Sequence, residues 1–353
     1  MMSNDIIDDD IETIIKSKIK WNVLKNKVIL ITGATGLIGS YLCRTLYVVN
    51  RRFRLNLKMI LLIRDKDKIK NLTFLKKSNF SKFIVCDICN PESIKSLKPN
   101  FIIHAASIAS PKFYDLKAIE TIDPNVLATK NLLELAKKNS STFLFLSSGA
   151  IYGEIKKKKL VSENDYFSIN PSRINSCYSL SKKMGEVYCF NYKRIFKMDI
   201  KIARIFHTFG PGLSKGDGRV FSDIIDGISV KKTISINSDG SAIRSFCYIS
   251  DTVTALFILL LSKSKSIEYN IGNPKNVYSI KKLAKKLKKY MPVNISNIIF
   301  NSKIIKNKRY VKSHIKYTVP DIGKIKKEFG WFPKVCVEEA FKKTITSRIK
   351  YEE

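Results

Sequence analysis

Two side chains with complementary chemistry stand four residues apart in the segment Tyr178-Ser-Leu-Ser-Lys182. Residues at this spacing lie on one face of a helix, so the lysine ammonium and the tyrosine phenol can serve one site. A free phenol has a pKa near 10, and a pKa about three units lower corresponds to roughly 4 kcal/mol of interaction favouring the phenolate. We expect Lys182 and an oxidised nicotinamide to provide it, so that Tyr178 takes a hydroxyl proton while hydride leaves the same carbon.

Ser148 completes the predicted catalytic set. It follows the apolar run Thr142 to Leu146, which predicts a strand. A hydroxyl at the end of a strand can hold a substrate oxygen by a hydrogen bond. Ser148, Tyr178 and Lys182 together therefore predict catalysis at a carbon that bears a hydroxyl or a ketone.

A glycine-rich turn stands about one domain before these residues, between the apolar run Val28 to Thr32 and a helical segment, Ser40 to Val49. Its first glycine permits a tight turn, its second lets the backbone approach a pyrophosphate, and its third lets the helix pack close to the strand. The helix N-terminus attracts the phosphates. The turn predicts a dinucleotide site formed by Gly33, Thr35, Gly36, Leu37, Ile38 and Gly39.

The end of the second predicted strand, Met59 to Ile63, bears on the choice of cofactor. A carboxylate there binds the ribose hydroxyls of NAD, whereas an arginine accommodates the 2′-phosphate of NADP. Here Arg64 and Asp65 are adjacent, so NAD is predicted and NADP stays open. Asp87, after the third strand Phe83 to Cys86, is placed to receive the adenine amino group.

Strands and helices alternate through the first part of the chain. Further strands are predicted at Phe101 to Ala105 and Lys201 to Phe206, with a helix at about Pro124 to Lys138. This order predicts an α/β fold, a Rossmann-type doubly wound parallel sheet with a smaller C-terminal substrate-binding lobe. We expect an N-terminal extension at 1–26, a helix outside the core fold; an NAD(P)-binding domain at 27–200; and a substrate lobe at 201–353, interleaved with the Rossmann core and with helices near 251–262 and 279–290.

These residues resemble the extended short-chain dehydrogenase/reductase family, in its nucleotide-sugar epimerase, dehydratase and decarboxylase branch. The resemblance covers about residues 26–345 and rests on motifs that include the glycine turn, Asp87, His104-Ala-Ala106, Asn125, Arg204-Ile-Phe-His-Thr-Phe-Gly-Pro211, Asp217-Gly-Arg219-Val, Arg244-Ser-Phe-Cys-Tyr-Ile-Ser-Asp251 and Tyr269-Asn-Ile-Gly-Asn273. The substrate-lobe segments look most like UDP-glucuronate decarboxylase.

The resemblance implies a nucleotide-sugar substrate and a homodimer. It adds Ile88, Ala105, Ala106 and Lys182 to the cofactor contacts. It implies that the substrate contacts are Ser107, Pro111, Ser148, Tyr178, His207, Arg219, Val220, Arg244 and Tyr248. Arginines suit the diphosphate or uronate charge of such a ligand.

Two departures from the relatives direct the choice of reaction. Decarboxylases and dehydratases have an acidic side chain just after the catalytic Ser or Thr, where this chain has Gly149 and Ala150; His207 stands where relatives usually have Asn. Without an acid and a base the elimination of water lacks its proton transfers, which argues against a dehydratase. We therefore expect hydride transfer at sugar C4, as in a 4-epimerase or a 4-oxidoreductase. UDP-glucuronate decarboxylation is the alternative, and a non-catalytic NAD(P)-binding protein is a remote one.

Composition limits other classes of function. The net charge is +34, but lysine is spread through every region with abundant Ile and Asn, the bias of an AT-rich genome; we expect no specific nucleic-acid binding. The positive field would still attract a nucleotide sugar. Seven scattered cysteines predict neither disulfides nor a metal site. No apolar run of about 18 residues and no leader pattern is present, so we expect a cytoplasmic protein without membrane contact.

Overall fold

The computed structural model describes residues 5–76, 78–155, 159–291, 293–300 and 315–350. Its strands are β1 (Val28–Thr32), β2 (Lys58–Ile63), β3 (Ser81–Val85), β4 (Phe101–His104), β5 (Thr142–Ser148), β6 (Ile200–Ile205), β7 (Thr208–Phe209), β8 (Thr233–Ile236), β9 (Ile243–Ser245), β10 (Cys247–Tyr248), β11 (Glu268–Ile271), β12 (Val277–Ser279), β13 (Asn297–Phe300) and β14 (Tyr317–Thr318). Its helices are α1 (Asp5–Ile15), α2 (Leu37–Arg52), α3 (Thr73–Lys76), α4 (Ala118–Asn139), α5 (Ser176–Phe196), α6 (Val220–Lys231), α7 (Ile249–Leu261), α8 (Ile280–Tyr290), α9 (Gly323–Phe329) and α10 (Val337–Lys350).

Seven strands form one sheet in the order β11, β6, β5, β4, β1, β2, β3, and every neighbouring pair is parallel. The chain order reverses between β1 and β4, which makes their carboxyl ends the switch point where ligands bind in such sheets. The predicted Rossmann-type doubly wound sheet is confirmed.

Both faces of the sheet are buried, as the apolar runs predict. Successive side chains of a strand point to opposite faces. Accordingly Ile29 and Ile31 join one core cluster, with residues of α2 and α7, whereas Leu30 joins a second cluster with residues of α4 and α5. Helix α5, which carries the tyrosine and the lysine, is thus fixed on the sheet by packing.

The second half of the chain contributes both to this sheet and to a separate lobe. β6 and β11 are strands of the main sheet. The remaining strands pair in small sheets: β7 with β10, β8 with β13, and β9 between β12 and β14. Within the described parts of the chain, no helix combines the length and the apolar character that a membrane crossing requires.

The structure corrects two expectations. Helix α1 forms as predicted, but it does not stand outside the core, because Ile7, Ile11 and Ile14 are buried in the main cluster. Its apolar residues recur at helical spacing and cover α2 and α7. Helix α4 begins at Ala118 rather than at Pro124, which lies inside the helix. Proline starts many helices, but here tertiary packing extends the helix before it.

Candidate active site

The glycine turn and the end of β4 meet at the switch point. Gly33 has φ +68°, and a Cβ on it would lie 2.7 Å from both the carbonyl carbon of Ala105 and the nitrogen of Ala106. A Cβ on Gly39 would lie 2.1 Å from the carbonyl oxygen of Gly33. Real Cβ atoms do not approach so closely, so both positions require glycine.

Thr32 and His104 hold the segment after β4 in place. His104 Nε2 lies 2.9 Å from the carbonyl oxygen of Pro124, which can only accept, so Nε2 carries the proton. Nδ1 therefore accepts from the Thr32 hydroxyl at 2.8 Å. The Thr32 oxygen in turn accepts from the N–H groups of Ala105 and Ala106 at 3.2 and 3.0 Å. Burial lowers the pKa of His104 to about 3, so the ring is neutral.

The first turn of α2 fits a dinucleotide pyrophosphate. Its N-cap is Gly36, no side chain caps it, and no acidic residue stands in its first turn. The first N–H groups of a helix have no partners within the helix, and they favour an anion. The predicted residues Leu37 and Ile38 supply backbone there, and Thr35 is half-buried in the turn.

Polar residues follow β2 and β3 at the same edge of the sheet. Arg64 and Asp65 are both exposed directly after β2. Asp65 Oδ1 accepts from the Asp67 N–H at 3.0 Å, and Asp87 Oδ1 accepts from the Cys89 N–H at 2.9 Å. Ile88 is half-buried beside Asp87. These positions suit the adenosine half of a dinucleotide, and the individual contacts stay predictions.

The end of β5 and the first turn of α5 bring Ser148 and Tyr178 together. The Ser148 side chain is close enough to Tyr178 to act on the pKa of its phenol, and Ser148 Oγ accepts from the Ala150 N–H at 3.1 Å. Burial raises the pKa of Tyr178, while Ser148 and the charge of Arg219 act in the opposite direction. Tyr178 is thus a protonated phenol in the structure, with a hydrogen-bonding partner already beside it.

Lys182 lies on the same helix but has a different partner from the one expected. Its side chain is buried, and Nζ donates to the carbonyl oxygen of Leu146 in β5 at 2.6 Å. Burial lowers the pKa of Lys182 to about 7. Among the described residues no hydrogen bond joins Lys182 to Tyr178, and the expected stabilisation of the phenolate by Lys182 stays a prediction.

Tyr114 is a site residue that the sequence did not indicate. Its ring stacks on that of Tyr178, with centroids 5.4 Å apart and an angle of 13° between planes. It is 5% exposed, and burial raises its pKa well above the ordinary value. It stands in a loop after β4, 64 residues before Tyr178, and no spacing rule connects the two positions.

A buried ion pair links helix α5 to strand β6. Glu186, two turns after Tyr178 on α5, accepts from the Ser147 hydroxyl at 2.5 Å and from Arg204 Nη2 at 2.7 Å. Arg204 also donates to the Tyr152 hydroxyl at 2.9 Å. Because Ser147 precedes Ser148, this network fixes the distance between β5 and α5.

Arg219 reaches the site from the substrate lobe. It forms a two-bond ion pair with Asp217, at 2.5 and 3.0 Å, and its guanidinium lies 4.8 Å from the centre of the Phe221 ring. The neighbouring backbone is tied to the loop after β4, because Ser110 donates to the Asp217 carbonyl oxygen. That loop also holds the predicted contacts Ser107 and Pro111, and Val220 is half-buried beside Arg219. Within the described part of the chain, the Ser107 hydroxyl is buried without a hydrogen-bond partner, as expected for a group that faces a ligand.

His207 and Arg244 lie near Arg219, at the predicted substrate site. His207 is half-buried with φ +31°, a backbone region that Gly adopts readily and that Asn is the next most tolerant of. Burial lowers the pKa of His207 to about 3, helped by the charges of Arg244 and Arg219. Arg244 is 7% exposed and donates to the carbonyl oxygens of Ile243 and Ile315 at 2.9 and 2.6 Å.

A family model described as the NAD dependent epimerase/dehydratase family matches residues 29–272. The match spans the glycine turn, the catalytic residues and both arginines. The chain belongs to this family. It is therefore an NAD-dependent enzyme of the extended short-chain dehydrogenase/reductase type, and the predictions of an enzyme and of NAD as cofactor are confirmed.

Curated relatives of this NAD dependent epimerase/dehydratase family member include UDP-glucuronic acid decarboxylases. One from Arabidopsis thaliana is 32% identical over 317 residues, which covers 89% of this chain and 86% of the relative. One from Xenopus tropicalis is 30% identical over 324 residues, covering 90% of this chain and 71% of the relative. A similar solved structure is a UDP-glucuronic acid 4-epimerase from Bacillus cereus in complex with UDP-glucuronic acid and NAD. It has a TM-score of 0.75 and 25% identity, and the likeness covers 92% of this chain and 100% of that chain.

One expected substrate contact of the family member is wrong. Tyr248 is fully buried, and its hydroxyl donates to Asp10 Oδ2 at 2.8 Å. A side chain committed to this buried carboxylate cannot also contact a ligand in the cleft. The neighbouring Cys247 is buried as well, because β10 pairs with β7 and packs against α7.

Gly149 and Ala150 leave the flank of Ser148 without an acid. A Cβ on Gly149 would lie 2.6 Å from the Phe206 ring, so that ring occupies the space next to Ser148. Phe206 is 1% exposed. This flank of the site is therefore apolar.

Among the described residues, no group of three or more His, Cys, Asp or Glu side chains could hold a metal ion.

Proposed function

We propose that this enzyme acts on UDP-glucuronic acid, oxidises its C4 and releases its C6 carboxyl group as CO2. The sequence placed a 4-epimerase or 4-oxidoreductase first and this reaction second. The similarity to UDP-glucuronic acid decarboxylases extends over 89% of this chain and therefore includes the substrate lobe. It supports decarboxylation as the first candidate.

The structural observation that carries the proposal is the presence of two arginines, Arg219 and Arg244, at the site of Ser148 and Tyr178. Arg219, which is paired with Asp217, is close enough to act electrostatically on Tyr178, Tyr114 and His207, and Arg244 also acts on His207. A ligand with both a diphosphate and a carboxylate matches two arginines better than a nucleotide diphosphate whose sugar is uncharged.

The residues can perform the steps that such a reaction needs. As the phenolate, which a bound oxidised nicotinamide would favour, Tyr178 takes the proton of the C4 hydroxyl while Ser148 hydrogen-bonds the same oxygen. Once C4 is a ketone, the carboxylate on C5 belongs to a β-keto acid. The C5–C6 bond breaks, CO2 leaves, and the electron pair moves onto the C4 oxygen, where Ser148 and Tyr178 stabilise the negative charge. C5 then takes a proton from solvent.

The residues that would hold NAD are those of the glycine turn, with Ala105 and Ala106 beside it. The close backbone packing at Gly33 and Gly39 and the uncapped N-terminus of α2 fit this cofactor. NAD held by these residues would supply a reversible hydride acceptor for C4, so no net consumption of NAD is expected.

The test is incubation of the purified enzyme with UDP-glucuronic acid and NAD, followed by mass spectrometry. Loss of the mass of one CO2 supports decarboxylation. A product of unchanged mass and altered retention identifies epimerisation instead, and no product with this substrate rejects both. Tyr178→Phe is the matched control. Full turnover by that variant would contradict the catalytic role of Tyr178. If neither the wild type nor the variant forms a product, the result supports a non-catalytic NAD(P)-binding protein.

A 4-epimerase acting on the same substrate is the second candidate. The observation that favours it is the apolar flank formed by Gly149, Ala150 and Phe206. An enzyme that only turns the ketone over and reduces it again needs no acid at this position.

We also propose a homodimer through α4 and α5. These helices pack on each other, and their outer side exposes Leu127, Met184, Val187 and Ile195 by 49, 42, 45 and 59%. Such a contiguous apolar face is typical of an interface. Light scattering on Val187→Glu tests it, with Ile299→Glu as control, because Ile299 is similarly exposed at 46% on β13. We expect only the first variant to be monomeric.

The cytoplasmic location and the absence of nucleic-acid binding stay predictions.

A further inference from the structure

Asp10 is a buried carboxylate that joins four elements of the fold. It lies on α1, and its side chain is 1% exposed. Its Oδ2 accepts from the hydroxyls of Tyr41 at 3.1 Å and Tyr248 at 2.8 Å, and Lys343 Nζ lies 3.3 Å from Oδ1. Tyr41 belongs to α2, Tyr248 to β10 and Lys343 to α10.

These partners connect the two halves of the active site. Tyr41 stands two residues after Gly39, on the helix whose first turn fits the pyrophosphate. Tyr248 follows Cys247, whose N–H donates to the His207 carbonyl oxygen at 3.3 Å. Arg244 lies four residues before Tyr248 in the same short segment. One carboxylate thus links the cofactor helix to the segment 244–248 of the substrate lobe.

The charge itself requires an explanation. An apolar side chain could fill the same space, as Ile7, Ile11 and Ile14 do on the same helix, without the free energy needed to bury a carboxylate. Hydrogen bonds to tyrosine hydroxyls fix position and direction in a way that apolar packing does not. The arrangement therefore favours a role in geometry over a role in stability alone.

We propose that Asp10 is a positioning residue: through Tyr248, α1 holds the segment 244–248 in the position that binds the nucleotide part of the substrate. The inference rests on the proposed function only for the identity of that ligand. It gives the N-terminal helix a part in substrate binding.

The test compares Asp10→Ala, Asp10→Asn and the control Asp9→Ala, whose side chain is exposed on the same helix. Two quantities are measured by calorimetry, the Kd for UDP and the Kd for NAD, and hydrogen exchange is measured over residues 244–248. For Asp10→Ala we expect UDP binding about tenfold weaker, an NAD Kd within about twofold of the wild type, and faster exchange in the segment. Asn keeps an oxygen for the tyrosines, so Asp10→Asn should restore most of the UDP affinity.

Wild-type UDP affinity and wild-type exchange in Asp10→Ala would overturn the inference, even if that variant melts at a lower temperature. A parallel loss of UDP and NAD binding would overturn it too, because it would indicate general loosening. If the wild-type enzyme does not bind UDP, the proposed function fails while the exchange comparison still decides this inference. If Asp10→Ala does not fold, Tyr248→Phe removes only the 2.8 Å bond and should show the same pattern with a smaller effect.

Discussion

The rings of Tyr114 and Tyr178 lie nearly parallel, 5.4 Å between centroids and 13° between planes. This contact places a buried aromatic wall against the catalytic phenol, on the side of the loop that reaches Asp217 and Arg219. The wall limits how Tyr178 can turn, and it excludes water from one face of its ring. Tyr114 therefore holds the ring of Tyr178, the proposed catalytic base, in position.

Tyr114→Ala should lower kcat by about 3- to 10-fold, since an aromatic pair contributes about 0.5–1.5 kcal/mol beyond simple burial. The NAD affinity should stay unchanged because the residue lies outside the glycine turn. Tyr114→Phe keeps the ring and should retain most of the activity. Steady-state kinetics with UDP-glucuronic acid measures both, and equal losses in the two variants would contradict the stacking role.

Gly36→Ala and Gly39→Ala should separate cofactor binding from folding. A Cβ on Gly39 would lie 2.1 Å from backbone oxygen, whereas one on Gly36 meets its nearest atom at 3.4 Å. We expect Gly39→Ala to prevent the native turn and to lower the melting temperature strongly. Gly36→Ala should fold normally but bind NAD at least about tenfold more weakly, because its methyl group stands where the pyrophosphate approaches. Thermal melts and NAD titration give the two readouts.

Gly149→Ala should reduce stability by about 1–3 kcal/mol, the usual cost of overpacking a filled site. The reason is the Phe206 ring, 2.6 Å from where the new Cβ would stand. Phe206→Leu in the same chain should recover part of the loss by vacating that space. Urea unfolding of the two single variants and the double variant measures the coupling, and simple additivity would argue against direct contact.

Lys182 should make the stability of the enzyme without cofactor depend on pH. Burial lowers its pKa to about 7, below its ordinary value of 10.5, so the unfolded chain binds more protons between these two values. Stability should therefore rise with pH across this window, by about 1.4 kcal/mol per unit at most. Lys182→Met removes this contribution. The melting temperature of the variant minus that of the wild type should fall from pH 7 to pH 10, and a constant difference would contradict the depressed pKa.

Local patterns in the sequence predicted the framework of the fold. β1 has the predicted bounds, Val28–Thr32, because an apolar run that ends in a glycine turn is a signal contained in neighbouring residues. The same is true of Tyr178, whose helix places it on the face toward β5 and Ser148. The sequence also indicated the cofactor, since the spacing of the glycines between one strand and one helix is itself typical of a dinucleotide site.

Contacts between distant parts of the chain were decided by the tertiary structure. Tyr248 belongs to a motif that suggested a substrate contact, but its partner Asp10 is 238 residues away and lies on a helix expected to be outside the core. Tyr114 contacts Tyr178 only because the loop after β4 folds back over α5. Lys182 donates to the Leu146 carbonyl oxygen because of the position of α5 on the sheet. Periodicity and motif spacing determine which face a residue occupies on its own element. Which side chain it meets there depends on how the elements pack, and packing is a property of the whole chain.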